Sequence, residues 1–107
     1  MSSENFKIQL RKGLLEFCIL QILSKNKFYT SEIIGMLNES NMNVVEGTVY
    51  PILNRLENKE YVNIEWAESR QGPPRKYFLL TKRGKTYLKQ FQTCFQEVNS
   101  SIDKLIR

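Results

Sequence analysis

"EGTVYPILNRLE", Glu46 to Glu57, sets Val49, Ile52, Leu53 and Leu56 at helical spacing and yet places Pro51 among them. Proline has no N–H and presses on the carbonyl four residues back, so a helix interior resists it and a first turn does not. The first four N–H groups of any helix lack an intrahelical partner. A helix that begins at Gly47 or Thr48 therefore carries Pro51 in its first turn at little cost. An earlier start sets the ring against the carbonyl of Gly47, where the absent side chain at least relieves crowding. In both cases the apolar set faces inward, and Thr48, Tyr50, Pro51, Asn54 and Arg55 lie on or beside the outer face.

The flanking segments give this helix its context. Upstream, "NFKIQLRKGLLEFCILQILSKN" repeats Phe6, Leu10, Leu14, Cys18 and Ile22 at steps of four, with Leu15, Ile19 and Leu23 widening the stripe. That pattern predicts one amphipathic helix ending near Ser24 to Lys27. "YTSEIIGMLNES" predicts a second, capped by Thr30 or Ser31, with Glu32 in its first turn and Ile33, Ile34 and Leu37 inward. Gly35 within it costs roughly 1 kcal/mol against alanine, which suits close packing. "NESNMN" is a polar connection to the helix that holds Pro51.

Downstream, "YVNIEW" alternates with Val62, Ile64 and Trp66 on one face, and "KYFLL" is a second strand. Between them "AESRQGPPR" forms a polar turn, giving a hairpin with a long basic tip from Arg70 to Lys76. "TKRGKTYLKQFQTCFQEVNSSIDKLIR" closes the chain as a long helix with Thr81 as a candidate N-cap. Three helices, a hairpin and a helix describe a winged helix-turn-helix, mainly α with a small β-hairpin. The expected division is a winged-helix unit over 1–80 and a dimerisation helix over 81–107.

Composition narrows the function. Sixteen Lys and Arg against eleven Asp and Glu give a net charge of +5. Between Glu68 and Glu97 there is no acid, while Arg70, Arg75, Lys76, Lys82, Arg83, Lys85 and Lys89 are cationic. A cationic block on an otherwise near-neutral chain suits a polyanion, although the same charges also serve a solvated surface. The chain has no histidine and two distant cysteines, Cys18 and Cys94. Metal ligation, Cys–His nucleophilic chemistry and a phosphate loop are therefore not expected, and neither is a cofactor or an enzyme. The start of the chain does not read as a secretory leader and no run of 18 apolar residues occurs, so the expectation is a cytoplasmic protein with reduced, packed cysteines and no membrane contact.

In a winged helix the third helix occupies the recognition position, and its first residues meet base edges. Its outer face offers a hydroxyl (Thr48), a phenol (Tyr50), an apolar edge (Pro51), an amide (Asn54) and a guanidinium (Arg55), groups able to meet phosphates, thymine methyls, adenine and guanine. Tyr50 could instead pack under the wing, Pro51 could merely shape the helix start, and Arg55 could pair with Glu57 or Glu60. In the wing, Gly72, Pro73 and Pro74 fix a thin turn, and Arg70, Arg75 and Lys76 can meet phosphates or enter a minor groove. Double-stranded DNA is the expected partner. The rival reading is a winged-helix module that binds protein through its third helix without sequence-specific DNA binding; steep weakening by salt separates the two.

The last helix carries Leu88, Phe91, Phe95, Val98, Ile102 and Leu105 at alternating steps of three and four, a heptad seam. From Thr81 to Arg107 it could run about 39 Å, which outreaches a small winged-helix body. The seam predicts a homodimer that presents two recognition helices to a pseudo-palindromic operator with half-sites roughly 34 Å, or a multiple, apart. The alternative is a helix folded back on its own domain.

These residues resemble the PadR family of bacterial transcriptional regulators. The resemblance rests on Gly47, Thr48, Val49, Tyr50 and Pro51; on Leu53, Leu56 and Glu57; on Lys76, Tyr77 and Phe78; and on Leu80, Thr81 and Gly84. "LLEFCILQIL" in the first helix adds to it. The order and spacing of these pieces cover most of the chain. Phe28, Tyr29 and Thr30 replace the family's usual Gly-Tyr before the second helix, and Val45 and Glu46 replace its common Ser-Pro. Ending after one long helix, the chain is similar to the short subfamily. The resemblance implies a repressor, and for some short members a pore at the dimer centre that takes flat, aromatic, often cationic molecules. Carried onto this sequence, that implies Phe95 as the stacking residue, with Leu14, Cys18, Phe91 and Asn99 lining the same space; a filled apolar core explains Phe95 equally well.

Overall fold

A computed structural model of the chain describes residues 8–107. Phe6, the first residue of the predicted stripe, lies outside them. Residues 8–11 are helical, residues 12–14 form a turn, and helix α1 then spans Leu15–Leu23. The single first helix read from the periodicity is thus broken. Gly13 weakens the helix there by roughly 1 kcal/mol against alanine, the Leu14 N–H closes a turn onto the Arg11 carbonyl at 2.7 Å, and Arg11 Nη1 donates to the Met42 carbonyl.

A two-residue strand, β1 (Phe28–Tyr29), precedes α2 (Thr30–Glu39). The cap of α2 is Tyr29, not Thr30 or Ser31; Glu32 Oε1 accepts the Tyr29 N–H at 3.1 Å. A Cβ on Gly35 would meet nothing within 4 Å, so that glycine does not mark close packing. The connection to the next helix is built around Asn38, whose side chain donates to the Val44 carbonyl at 3.1 Å and accepts its N–H at 2.7 Å. Asn41 and Asn43 take the left-handed conformation, with φ of 64° and 58°, which asparagine tolerates better than most residues.

Helix α3 spans Glu46–Asn58 with Val45 as its N-cap. Pro51 therefore sits in the second turn, not the first, and the Gly47 carbonyl receives no N–H from it. Tyr61 N–H closes the far end onto the Leu56 carbonyl at 2.9 Å, with Glu60 at φ 62°. Strands β2 (Val62–Ala67) and β3 (Arg75–Leu80) form the hairpin, and β1 adds to β3 on its other side, giving the antiparallel order β1-β3-β2. The sheet has three strands where the sequence predicted two. Phe28 pairs with Phe78 and Tyr29 with Tyr77. The described chain closes with α4 (Lys82–Ile106).

The core lies where α1, α2 and α3 meet the sheet. Ile19, Leu20, Ile33, Val49, Leu53, Leu56, Val62 and Phe78 are buried there, and Leu88 brings in the base of α4. The architecture is a winged helix with a long terminal helix. Thr81 caps α4 as its position predicted, accepting the Gly84 N–H at 2.9 Å and donating to the Glu60 carbonyl at 2.7 Å.

Candidate nucleic-acid interface

The exposed side of α3 follows from its buried side. Val49, Leu53 and Leu56 are buried and Ile52 half-buried, which turns Gly47, Pro51, Asn54 and Asn58 onto the outer ridge. Thr48 and Arg55 lie on one flank and Tyr50 on the other. All five residues expected on this face are exposed, and Tyr50, at 46% exposure, does not pack beneath the wing. Arg55 pairs with neither Glu57 nor Glu60. Its Nη2 stands 3.8 Å from Glu16 Oε2 on α1.

The wing splits its cations. Period-two alternation along β3 sends Arg75 and Tyr77 to one face and Lys76 and Phe78 to the other. On the first face the Arg75 guanidinium stacks over Tyr29 at 4.6 Å, Tyr29 meets Tyr77 edge-on, and Lys27 bonds Glu65. On the second, Lys76 Nζ lies 3.8 Å from Glu57 Oε2 and 5.3 Å from the Phe78 ring centroid. Arg75 and Lys76 therefore belong to β3, not to the tip, and the tip keeps Arg70, Gln71, Gly72, Pro73 and Pro74. Trp66, across from Lys76, is 65% exposed.

Along α4 the predicted seam changes character. Leu88 is buried and Phe91 half-buried, but Phe95 is 38%, Val98 58%, Ile102 50% and Leu105 85% exposed. Such a row of apolar side chains is what a soluble surface avoids unless it is covered. Phe91 stacks on Phe17 at 4.8 Å, and Phe17 also meets Phe95 at 5.5 Å. Phe17 was not among the residues expected around Phe95, although an aromatic on the flank of the first stripe was a visible signal. Tyr87 continues the aromatic row, edge-on to Phe91 and stacked on Tyr61 at 4.1 Å.

Of the other residues tied to that space, Leu14 is half-buried and Asn99 exposed. Cys18 lines a groove with Phe17, Ile22, Met36, Leu37 and Met42, between α1 and the end of α2. Burial pushes the Cys18 thiol above its ordinary pKa. Burial, and then the charge of Glu16, push the Tyr87 phenol up as well. Among the described residues no cluster of potential metal ligands occurs, and no helix is long and apolar enough to cross a membrane.

Known proteins share this arrangement. The model of the transcriptional regulator PadR-like family matches residues 19–90. An uncharacterized protein from Lysinibacillus sphaericus is 30% identical over 95 residues, covering 86% of this chain and 87% of its own. Among solved structures, a PadR-like transcription factor from Bacteroides fragilis is 46% identical, with a TM-score of 0.80, over 94% of this chain and 98% of that one. A PadR-like transcriptional regulator from Bacillus cereus is 33% identical, with a TM-score of 0.82, over 92% and 97%.

Proposed function

Because the chain belongs to the PadR-like family of transcriptional regulators, we propose that it works as a homodimeric repressor that occupies a pseudo-palindromic operator in the cytoplasm. The observation that carries this reading is the outer face of α3. Thr48, Tyr50, Pro51, Asn54 and Arg55 are exposed together beside a cationic wing. In this reading Asn54 supplies the amide that pairs with an adenine edge, and Pro51 gives an apolar edge for a thymine methyl. Thr48, Tyr50 and Arg55, on the flanks of the helix, donate to phosphates, and Arg70 and Lys76 hold the backbone beside the wing. Arg75 shapes the wing through Tyr29.

The seam from Leu88 through Phe91, Phe95, Val98, Ile102 to Leu105 joins two copies. Residues 1–80 then act as the reading unit and 81–107 as the joining one. Two recognition helices on one dimer double the base contacts and set the half-site spacing. A flat aromatic effector is the proposed releasing signal, stacking on Phe95 where Phe17 and Phe91 already form an aromatic wall.

The test is a mobility shift of the purified protein on its own upstream region across a salt series, with its mass measured in solution. A specific, salt-sensitive shift by a dimer supports the proposal and delivers the operator. If selection from random duplexes also yields no specific binding, the repressor reading is wrong.

A further inference from the structure

On the flank of α3 away from the wing, a groove runs between the helical turn at residues 8–11 and the recognition helix. Gln9, Arg11 and Lys12 wall one side; Thr48, Ile52 and Arg55 wall the other. The groove holds three cations. The acid paired with them is Glu16, at 3.8 Å from Arg55, which leaves the groove net positive. Arg11 is committed, because Nη1 donates to the Met42 carbonyl and so fastens the turn to the connection that launches α3. Gln9 and Lys12 are exposed, and among the described residues Lys12 enters no ion pair.

We infer that this groove is a second phosphate-binding wall, in which Lys12 and Gln9, with Thr48 and Arg55, receive the DNA backbone on the side of the recognition helix opposite the wing. The inference rests on the DNA-binding reading above. An α-helix with its side chains is about 10–12 Å across and B-DNA's major groove about 12 Å wide, so a helix seated in it has a sugar-phosphate strand along each flank. The wing, through Arg70 and Lys76, serves one strand. The other needs donors on the Thr48 and Arg55 flank, and the groove supplies an ammonium, an amide, a hydroxyl and a guanidinium there. The Arg55–Glu16 separation is longer than a hydrogen bond, so the guanidinium keeps donors free for a phosphate. Arg11 is a positioning residue: it holds Gln9 and Lys12 against the start of α3.

The experiment measures affinity of the full chain for its operator duplex across salt, for the parent, Lys12→Gln and Gln9→Ala, together with phosphate-ethylation interference. Lys12→Gln is expected to keep the parent's sequence preference while its salt slope falls by about 1.8, about 0.9 for each of the two phosphates per dimer; over a fourfold rise in salt it then loses about 12-fold less affinity than the parent. Gln9→Ala is expected to leave the slope alone and to remove the interference signal at one phosphate of each half-site, on the flank away from the wing. A parent that binds its operator while both variants keep its slope and interference pattern overturns the groove and leaves the DNA reading standing. A parent that binds no duplex in a salt-sensitive way overturns both. Lys12 and Gln9 are exposed, so a matching melting temperature for each variant confirms that only the contact was changed.

Discussion

Gly84→Ala should destabilise the protein although alanine is the better helix former. A Cβ on Gly84 would overlap the Tyr61 carbonyl oxygen and lie 3.0 Å from its carbon and 3.2 Å from Leu80 Cδ2. The obstacle is backbone and cannot rotate away. Relief requires the first turn of α4 to draw back from Tyr61. That strains two bonds anchoring the turn, from the Thr81 N–H to the Tyr61 carbonyl at 3.1 Å and from Thr81 Oγ1 to the Glu60 carbonyl at 2.7 Å. Overpacking costs about 1–3 kcal/mol and each of the two weakened bonds about 0.5–1.5, against roughly 1 gained in helix propensity, for a net loss of about 1–5 kcal/mol, centred near 3. At about 4–8 °C per kcal/mol for a domain near this size, the central value lowers the melting temperature by roughly 12–24 °C. Far-UV circular dichroism at one fixed protomer concentration measures it, since dimerisation would make the midpoint concentration-dependent. Gly35→Ala is the control of opposite sign. Its Cβ meets nothing within 4 Å, so it should gain up to about 1 kcal/mol. A Gly84→Ala protein as stable as its parent would refute the packing argument.

Ile102→Lys puts a charge into the exposed seam of α4 and should convert the dimer to monomer by light scattering, with the monomer's helical spectrum retained; an unchanged mass would move the interface elsewhere. Lys76→Gln should lower the salt slope of DNA binding by about 1.8, about 0.9 for each protomer of the dimer, whereas Arg75→Ala should cost about 0.5–1 kcal/mol of stability through lost stacking on Tyr29 and leave the slope alone. Equal slope changes would contradict the opposite faces of β3. Phe95→Ala should abolish binding of flat aromatic cations, and retained dye binding by fluorescence would remove Phe95 from the effector site. The raised pKa of Cys18 means fewer thiolates at a given pH, so at pH 8 alkylation of Cys18 should be slower in the folded protein than in urea. Its stabilising share is complete below the ordinary thiol pKa and declines as pH rises through the raised one. A Cys18→Ala variant should therefore lose less stability than the parent between pH 8 and 10, and matching pH profiles would refute the assignment.

Much of the fold was legible because its elements are long and strongly periodic. The inward set of α3, the Thr81 cap and the apolar row of α4 all follow from spacing alone. What escaped was either too short or too long-range. β1 has two residues, and alternation cannot be seen in two. Its pairing with β3 is decided by Phe78 and Tyr77, far along the chain. The break after residue 11 depends on an arginine reaching the Met42 carbonyl, a contact no local pattern encodes. Pro51 falls in the second turn because the helix begins at Glu46, the earlier start that the sequence left open, behind a Val45 that carries no capping side chain. The separation of Arg75 from Lys76 was readable in principle, since neighbours on a strand point apart. Assigning both to the wing tip hid it. The groove at Lys12 had no signal in the sequence, since it joins residues 9–12 to Arg55, far along the chain.

The contact between Gly84 and Tyr61 also makes α4 a lever. The helix is seated at one end on the backbone that follows α3, and its 25 residues reach about 37 Å from that seat. Tilting it by about 5° about the seat carries the far end through about 3 Å, close to the rise of one base pair. In a two-fold dimer the same tilt acts on both sides of the axis, so the distance between recognition helices changes by more than either body moves. In such a dimer, the spacing of half-sites that fits it would be governed by how firmly one glycine sits against one carbonyl.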